Sequence, residues 1–420
     1  MAPDVAGARG AAGRLRMAAL GAAAGFALVV PAGAAEPPPT RPGRYHLGPL
    51  YLSPRLEIRD AGVDTNVFNT GAQPVPDTAM VVRPILGIAL PIGGRARIDA
   101  EGALGLNYFH RLSSERSTGA SGTLSGELQL GPVVLGAGGG LESGKERFSI
   151  AFDERVQREQ EWATGRARFD LTRRASVTFF VTRRQWRFGR LAGGGVDVQS
   201  SLDRDEALAT AEARFALTRR TTLVAGADTT DYTFAFPAAG GRLVRAQRYL
   251  GGFEFSRRAV LSGRVLAGYR VIPGGAAPAY RGPAVLVSAS APLARFGRLT
   301  IKADRDVYYG LHRFRAPGER LRNTYVSNMT EGALTIGLPL DLVGGGIVRR
   351  ETARYLLPGL LEGGLGRRVD RQWTVQGRLL RRLGDHASVG GAITLIRRAS
   401  SFPGLSYHGL RYGLQAEVAP

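Results

Sequence analysis

Leu171-Thr172-Arg173-Arg174-Ala175 returns as Leu217-Thr218-Arg219-Arg220-Thr221, again as Phe255-Ser256-Arg257-Arg258-Ala259, and more loosely as Leu380-Arg381-Arg382-Leu383. These polar turns rich in paired arginine are flanked by segments of about ten residues in which apolar and polar side chains alternate. Alternation with period two belongs to a strand whose two faces meet different surroundings. A strand of about ten residues, tilted by about 45°, crosses a bilayer. A long run of such hairpins is the pattern of a transmembrane β-barrel.

The segment from Arg95 to Phe109 decides which face meets which medium. Ala96, Ile98, Ala100, Leu104, Leu106 and Tyr108 share one side; Arg95, Arg97, Asp99 and Glu101 share the other. An arginine facing lipid at the bilayer midplane costs about 2–4 kcal/mol. The charged side must therefore face the lumen. The apolar side ends at Tyr108, with Phe109 beside it, as an aromatic girdle requires.

Carried along the chain, the same phase turns Ala207, Ala209, Ala211, Ala213, Phe215 and Leu217 outward, and likewise Tyr249, Phe253, Val265 and Tyr269. It turns inward Arg95, Arg97, Asp99, Glu101, Arg166, Arg168, Glu212, Arg214, Glu254, Arg264, Arg270, Asp304, Arg378 and Arg411, together with Glu127, Asp306 and Glu331. Charges lining a pore filter solutes by field and size. The alternative is that they pair across strands and keep a wet interior soluble. A single bulge would invert a strand's whole assignment.

Tight turns alternate with longer polar stretches at about 110–118, 143–154, 189–202, 273–282, 310–322 and 356–367. Short connections at one end and long ones at the other are the asymmetry of outer-membrane barrels. The expected fold is all-β: a transmembrane, antiparallel, up-and-down barrel of about 18 strands, within a range of 16–18.

The N-terminus reads as a processing segment. Arg9, Arg14 and Arg16 precede the apolar run Met17–Val30, and Ala32-Gly33-Ala34 is a small-x-small cleavage site. The expected division is a signal peptide over 1–34, a proline-rich periplasmic leader over 35–49 and the barrel over 50–420. The expected location is the outer membrane of a Gram-negative envelope.

The chain has 56 basic and 35 acidic residues, a formal net charge of +21, and no cysteine. Thiol chemistry and disulfides are excluded. Lys145 and Lys302 are the sole lysines, so the excess is guanidinium, which pairs bidentately with carboxylate and phosphate. In an exported chain that balance points to anionic lipid, anionic polysaccharide or anion flux rather than to nucleic acid. Part of it is explained by solvated turn arginines.

Few motifs carry chemistry. Gly139-Gly140-Leu141-Glu142-Ser143-Gly144-Lys145 begins like a phosphate-binding loop, but Glu146 stands where the magnesium-ligating hydroxyl belongs and no helix pattern follows. It reads as a strand end. Asp64-Thr65-Asn66 lacks the rest of a calcium loop and reads as a turn or loop-to-loop hydrogen bonding. His46, His110, His312, His386 and His408 show no metal-ligand spacing. No catalytic, cofactor or metal site is expected, and no enzymatic activity.

Gly48-Pro49-Leu50-Tyr51-Leu52-Ser53-Pro54-Arg55-Leu56-Glu57 and Asp64-Thr65-Asn66-Val67-Phe68-Asn69 resemble the start of bacterial outer-membrane β-barrel porins, including a family found beside exopolysaccharide genes. The resemblance covers residues 48–69 and implies an outer-membrane barrel, either a porin or an accessory of exopolysaccharide secretion. One departure is the chain end, Glu417-Val418-Ala419-Pro420, where such barrels carry a terminal aromatic for the assembly machinery; Tyr412 is the in-phase aromatic.

Barrels of 16–18 strands leave an aqueous channel unless plugged. The expected function is thus passive diffusion of small polar or anionic solutes. The alternatives are a non-conducting barrel for exopolysaccharide export or retention, and a barrel hydrolase. The expected partners are outer-membrane lipid and lipopolysaccharide, the barrel-assembly machinery and anionic polysaccharide; nucleic acid is not expected, and an oligomer is compatible.

Overall fold

The structure is a computed structural model, and it describes residues 45–147, 149–150, 155–189, 199, 202–238, 241–256, 260–275, 277–293, 296–311, 322–361, 364–402 and 404–419. The expected signal segment and most of the expected leader lie outside the described residues. The short strand β1 (Tyr45–Leu47) opens the fold. It is followed by β2 (Leu50–Asp64), β3 (Asp77–Ile92), β4 (Ala96–Phe109), β5 (Ser117–Leu130) and β6 (Val133–Glu146). Then come β7 (Val156–Asp170), β8 (Ala175–Phe188), β9 (Arg204–Ala216), β10 (Thr221–Ala238), β11 (Gly241–Phe255) and β12 (Ser262–Ile272). The series closes with β13 (Tyr280–Leu293), β14 (Gly297–Leu311), β15 (Arg322–Leu338), β16 (Leu342–Leu361), β17 (Gly364–Leu383), β18 (Ala387–Ser400) and β19 (Tyr407–Val418).

From β2 onward each strand pairs antiparallel with the next, and β19 pairs with β2, so 18 strands close into a barrel. Closure leaves the sheet no free edge. Strand β1 is a three-residue flap on β2, Tyr45↔Leu52 to Leu47↔Leu50.

The period-two reading of the strands holds. Leu104, Leu106, Leu124, Phe179, Val181, Tyr249, Phe253, Ile393, Tyr412 and Leu414 stand exposed on the outer face, while Glu57, Asp64, Glu212, Arg264 and Asp304 are buried on the inner one. A soluble protein of this size would not leave so continuous an apolar belt. Among the described residues no helix is long and apolar enough to cross a membrane; here the strands form the belt.

The repeated turn has one geometry. Thr172 Oγ1 accepts from the backbone N–H groups of Arg174 at 3.1 Å and Ala175 at 3.0 Å, and Thr218 Oγ1 accepts from Arg220 at 3.1 Å and Thr221 at 3.0 Å. The hydroxyl satisfies donors that a tight hairpin leaves orphaned. The arginines then extend into solvent. Two further copies remain. Arg257–Ala259 lies outside the described residues, and Leu380–Leu383 belongs to β17, where Gly384 at φ +67° makes the turn.

The seam is irregular and closely packed. Register shifts at Arg59/Gly62 and Leu414/Ala416 accommodate extra residues, with Asp60 at φ +52°. A side chain at Gly62 would stand 2.0 Å from the Tyr412 carbonyl oxygen, so glycine alone fits. Beside it the Asp64-Thr65-Asn66 stretch stitches the first connection to the last strand. Asn66 Nδ2 donates to the carbonyls of His408 at 2.8 Å and Thr70 at 2.9 Å, and Thr65 exchanges hydrogen bonds with Leu410.

Several boundaries move. The expected loop at 143–154 begins only after Glu146. The expected loop at 356–367 is mostly strand, because β16 and β17 run 20 residues each. Strand β10 likewise ends only two residues before β11 begins, so the end with long connections also contains hairpins without them.

Candidate functional site in the barrel lumen

Alternation delivers every other side chain of each strand to the lumen, and the antiparallel register decides which of them meet. Arg95 is the one exception among the expected lumen charges: it sits exposed in the turn before β4, because that strand begins at Ala96. Toward the short-turn end, Arg97 pairs with Asp99 at 2.6 Å, Arg55 with Glu101 at 3.0 Å, Arg168 with Asp170 at 2.8 Å, and Arg166 with Glu127. Arg378 takes the inward position opposite Gly345, exposed within the lumen, and forms no ion pair among the described residues.

Further in, pairs reach across intervening strands. Glu212 of β9 holds Arg214 at 2.7 Å and also Arg264 of β12, while Glu254 of β11 lies 3.5 Å from Arg214 and 3.6 Å from Arg264. Glycine at 226 and 252, on the strands between, leaves room for this reach. Above it, Arg248 of β11 bridges Asp228 and Asp306, each at 2.8 Å, and Arg270 donates to Asp306 at 3.2 Å and to the Tyr232 hydroxyl at 2.9 Å. Asp304 accepts from the Tyr308 hydroxyl at 2.8 Å. On the far wall Glu331 gathers Lys302 and Arg349, and Asp370 is buried between Arg368 at 2.7 Å and Arg398 at 2.8 Å. At the seam Arg411 meets Asp64 at 2.7 Å. The inward arginines are thus mostly matched by carboxylates.

The apolar side chains inside the barrel were not expected. Val156, Phe188, Phe234, Val244, Ile272, Val307, Tyr309 and Val326, contributed by strands from β7 to β15, pack into one buried cluster at the long-connection end. The Tyr309 ring stands 4.9 Å from that of Tyr232 and 5.2 Å from that of Phe234. Trp186 sits at its edge, with the guanidinium groups of Arg204, Arg158 and Arg184 at 4.9, 5.2 and 5.7 Å. For part of the cluster the signal was available in the phase: Trp186 and Phe188 share the parity of Arg184, and Tyr232 and Phe234 that of Asp228. Val307 and Tyr309 instead have the parity of outward Ile301, and Val326 that of outward Leu334, so the phase gives no sign of them.

A second contact crosses the bore. Ile150, in the connection after β6, packs on Tyr325 of β15 and on Ala353 and Tyr355 of β16, half the barrel away. Beside it lies a cavity of about 320 Å³ whose lining includes Arg147, Arg349, Glu351, Gln372 and Arg411. Burial, with Arg411 and Arg155 nearby, pushes the Arg147 guanidinium down to about 10. No cluster of three or more metal-ligating side chains occurs among the described residues.

No protein-family model matches the chain, and no curated protein matches it in sequence. Among solved structures it is similar to CdiB from Acinetobacter baumannii, at 10% identity over 89% of this chain and 60% of that one, with a TM-score of 0.45. It is similar to the siderophore receptor PirA from Pseudomonas aeruginosa, at 11% identity over 90% of this chain and 81% of that one, with a TM-score of 0.46. It is also similar to a bacterial polysaccharide outer membrane secretin, at 10% identity over 88% and 98%, with a TM-score of 0.35. The chain thus spans about three fifths of the length of CdiB. At these identities none of the three bears on activity.

Proposed function

We propose that this protein is an outer-membrane channel for small polar solutes, with a passage displaced to one side of the bore. The observation that carries the reading is the closed 18-stranded wall with an apolar belt outside and a hydrophilic face inside. Such a wall is stable in a bilayer and wet at its centre. The apolar cluster occupies the β7–β15 side. The opposite side presents neutral polar groups, Ser121, Thr123 and Ser125 on β5 and Gln372, Thr374 and Gln376 on β17, which suit hydrated solutes. Unpaired Arg378 supports a mild preference for anions. With the other arginines matched, the preference is expected to be small.

Reconstitution in a planar bilayer tests this. Conductance steps well below those of an unobstructed barrel of this size are expected, with a reversal potential slightly on the anion side. Silence from a folded, heat-modifiable barrel would sink the channel reading. A second reading, a non-conducting partner in exopolysaccharide export or retention, is favoured by Ile150, whose contact with Tyr325 and Tyr355 crosses the bore. Under it, deleting the gene alters surface polysaccharide and leaves small-solute uptake unchanged.

A further inference from the structure

The outward faces of β16, β17 and β18 carry Arg350, Arg354, Arg367, Arg371 and Arg397, all exposed. Register places Arg350 directly opposite Trp373, and Trp373 directly opposite Arg397. The Arg350 guanidinium lies 5.4 Å from the centre of the Trp373 ring. Arg371 stands on the same face of β17, one repeat further toward the long-connection end. Opposed side chains on one sheet face stand about 5 Å apart and diagonal ones about 7–8 Å, so these positions form a single patch.

Among the described residues nothing neutralises it. None of the five forms an ion pair among the described residues, and the nearby carboxylates point the other way: Glu351 accepts from Ser327, and Asp370 lies buried between Arg368 and Arg398. The wall across the barrel is built differently. There Glu159, Glu161, Asp205 and Asp231 stand among the outward Arg183, Arg187 and Arg245, with Arg187–Asp205 and Arg245–Asp231 both at 2.7 Å. Arginines are therefore mostly matched in the lumen and stand among carboxylates on that wall, and on this one they are unmatched among the described residues.

The patch also has a defined height. One repeat toward the short turns, the same faces present Val348, Val375 and Leu395, followed by Leu379 and Ile393, all exposed. Tryptophan marks the boundary between apolar belt and polar headgroups. A ligand that fits must bring anionic oxygens at the level of the arginines and apolar chains directly below. Guanidinium groups bind phosphate bidentately. We propose that this face binds the phosphate groups of a phosphorylated glycolipid in the leaflet around the long-connection end. The assignment rests on the outer-membrane reading above, but it does not depend on conduction.

The test uses the full-length barrel purified in detergent, with folding checked by heat-modifiable mobility. Bisphosphorylated lipid A is titrated and bound lipid counted by native mass spectrometry, with dephosphorylated lipid A and inorganic phosphate as separate arms. Each arginine at an anionic membrane surface is worth about a fivefold change in affinity, so Arg350→Gln/Arg371→Gln/Arg397→Gln should weaken binding about a hundredfold. Arg187→Gln/Arg245→Gln, on the charge-mixed wall, should bind as wild type. Equal binding of dephosphorylated lipid A, undiminished binding by the triple variant, or displacement of the lipid by millimolar phosphate would each overturn the proposal. Because the readout is lipid retained in detergent, a silent channel that keeps its lipid refutes conduction alone, and a conducting one without lipid preference refutes the patch alone.

Discussion

Asn66 shows how one side chain can hold a barrel shut. It is 2% exposed, and its amide group bridges the first long connection to the last strand: Nδ2 donates to Thr70 and His408 carbonyls, and Oδ1 accepts from the Thr70 N–H at 3.0 Å. Removing a buried amide leaves those groups unsatisfied, which costs about 1–3 kcal/mol. Asn66→Ala should therefore lower the urea midpoint of unfolding and the temperature at which heat-modifiable mobility is lost. Asp64→Asn is the contrast. Its partner Arg411 is 36% exposed, and the amide keeps an acceptor for the Asn66 N–H; a partly solvated pair of this kind is worth about 0–1 kcal/mol. An Asp64→Asn variant as unstable as Asn66→Ala would show that charge, not the amide bridge, secures the seam.

Among the elements, β10 to β14 are tied together by buried charges that reach between non-adjacent strands. Arg248 is the hub, held by Asp228 on one side and Asp306 on the other. Arg248→Met leaves Asp228 buried without its partner, a change that costs about 3–5 kcal/mol. Arg248→Met/Asp228→Asn should recover part of that loss in chemical denaturation, since Arg270 still serves Asp306. Additive losses would mean that the two residues do not act as a pair.

This sector also shows what was legible in the sequence. That Glu212, Arg264 and Arg270 face inward follows from alternation alone, since lipid excludes the opposite phase. That Arg264 reaches Glu212 across two strands does not, because it depends on curvature and on the small residues between. The apolar cluster was hidden for a related reason: equating apolar with outward assumes lipid on one side and water on the other. Phe188, Phe234 and Tyr309 lie where the interior is packed instead. Arg95 was misplaced by a single residue at a strand boundary, a scale that periodicity does not resolve.

At the scale of the whole molecule, a formal net charge of +21 does not translate into a positive bore. The inward guanidiniums, Arg378 aside, are mostly paired, and unmatched ones gather in the turns and on the outer wall of β16 to β18. A pore's ion preference follows the net field along the path, not the number of arginines lining it. Arg166, Arg168 and Arg264 each stand beside a carboxylate, Glu127, Asp170 and Glu212 in turn. Neutralising all three as Gln should therefore remove cations while leaving the carboxylates, and move the reversal potential across a salt gradient from slightly anion-selective to cation-selective. Arg378→Gln, which lacks such a partner, should abolish the anion preference without inverting it. If the triple variant retains the wild-type reversal potential, ions do not pass those pairs, and the conducting path must run past the neutral polar groups of β5 and β17, Ser121, Thr123, Gln372 and Thr374, instead.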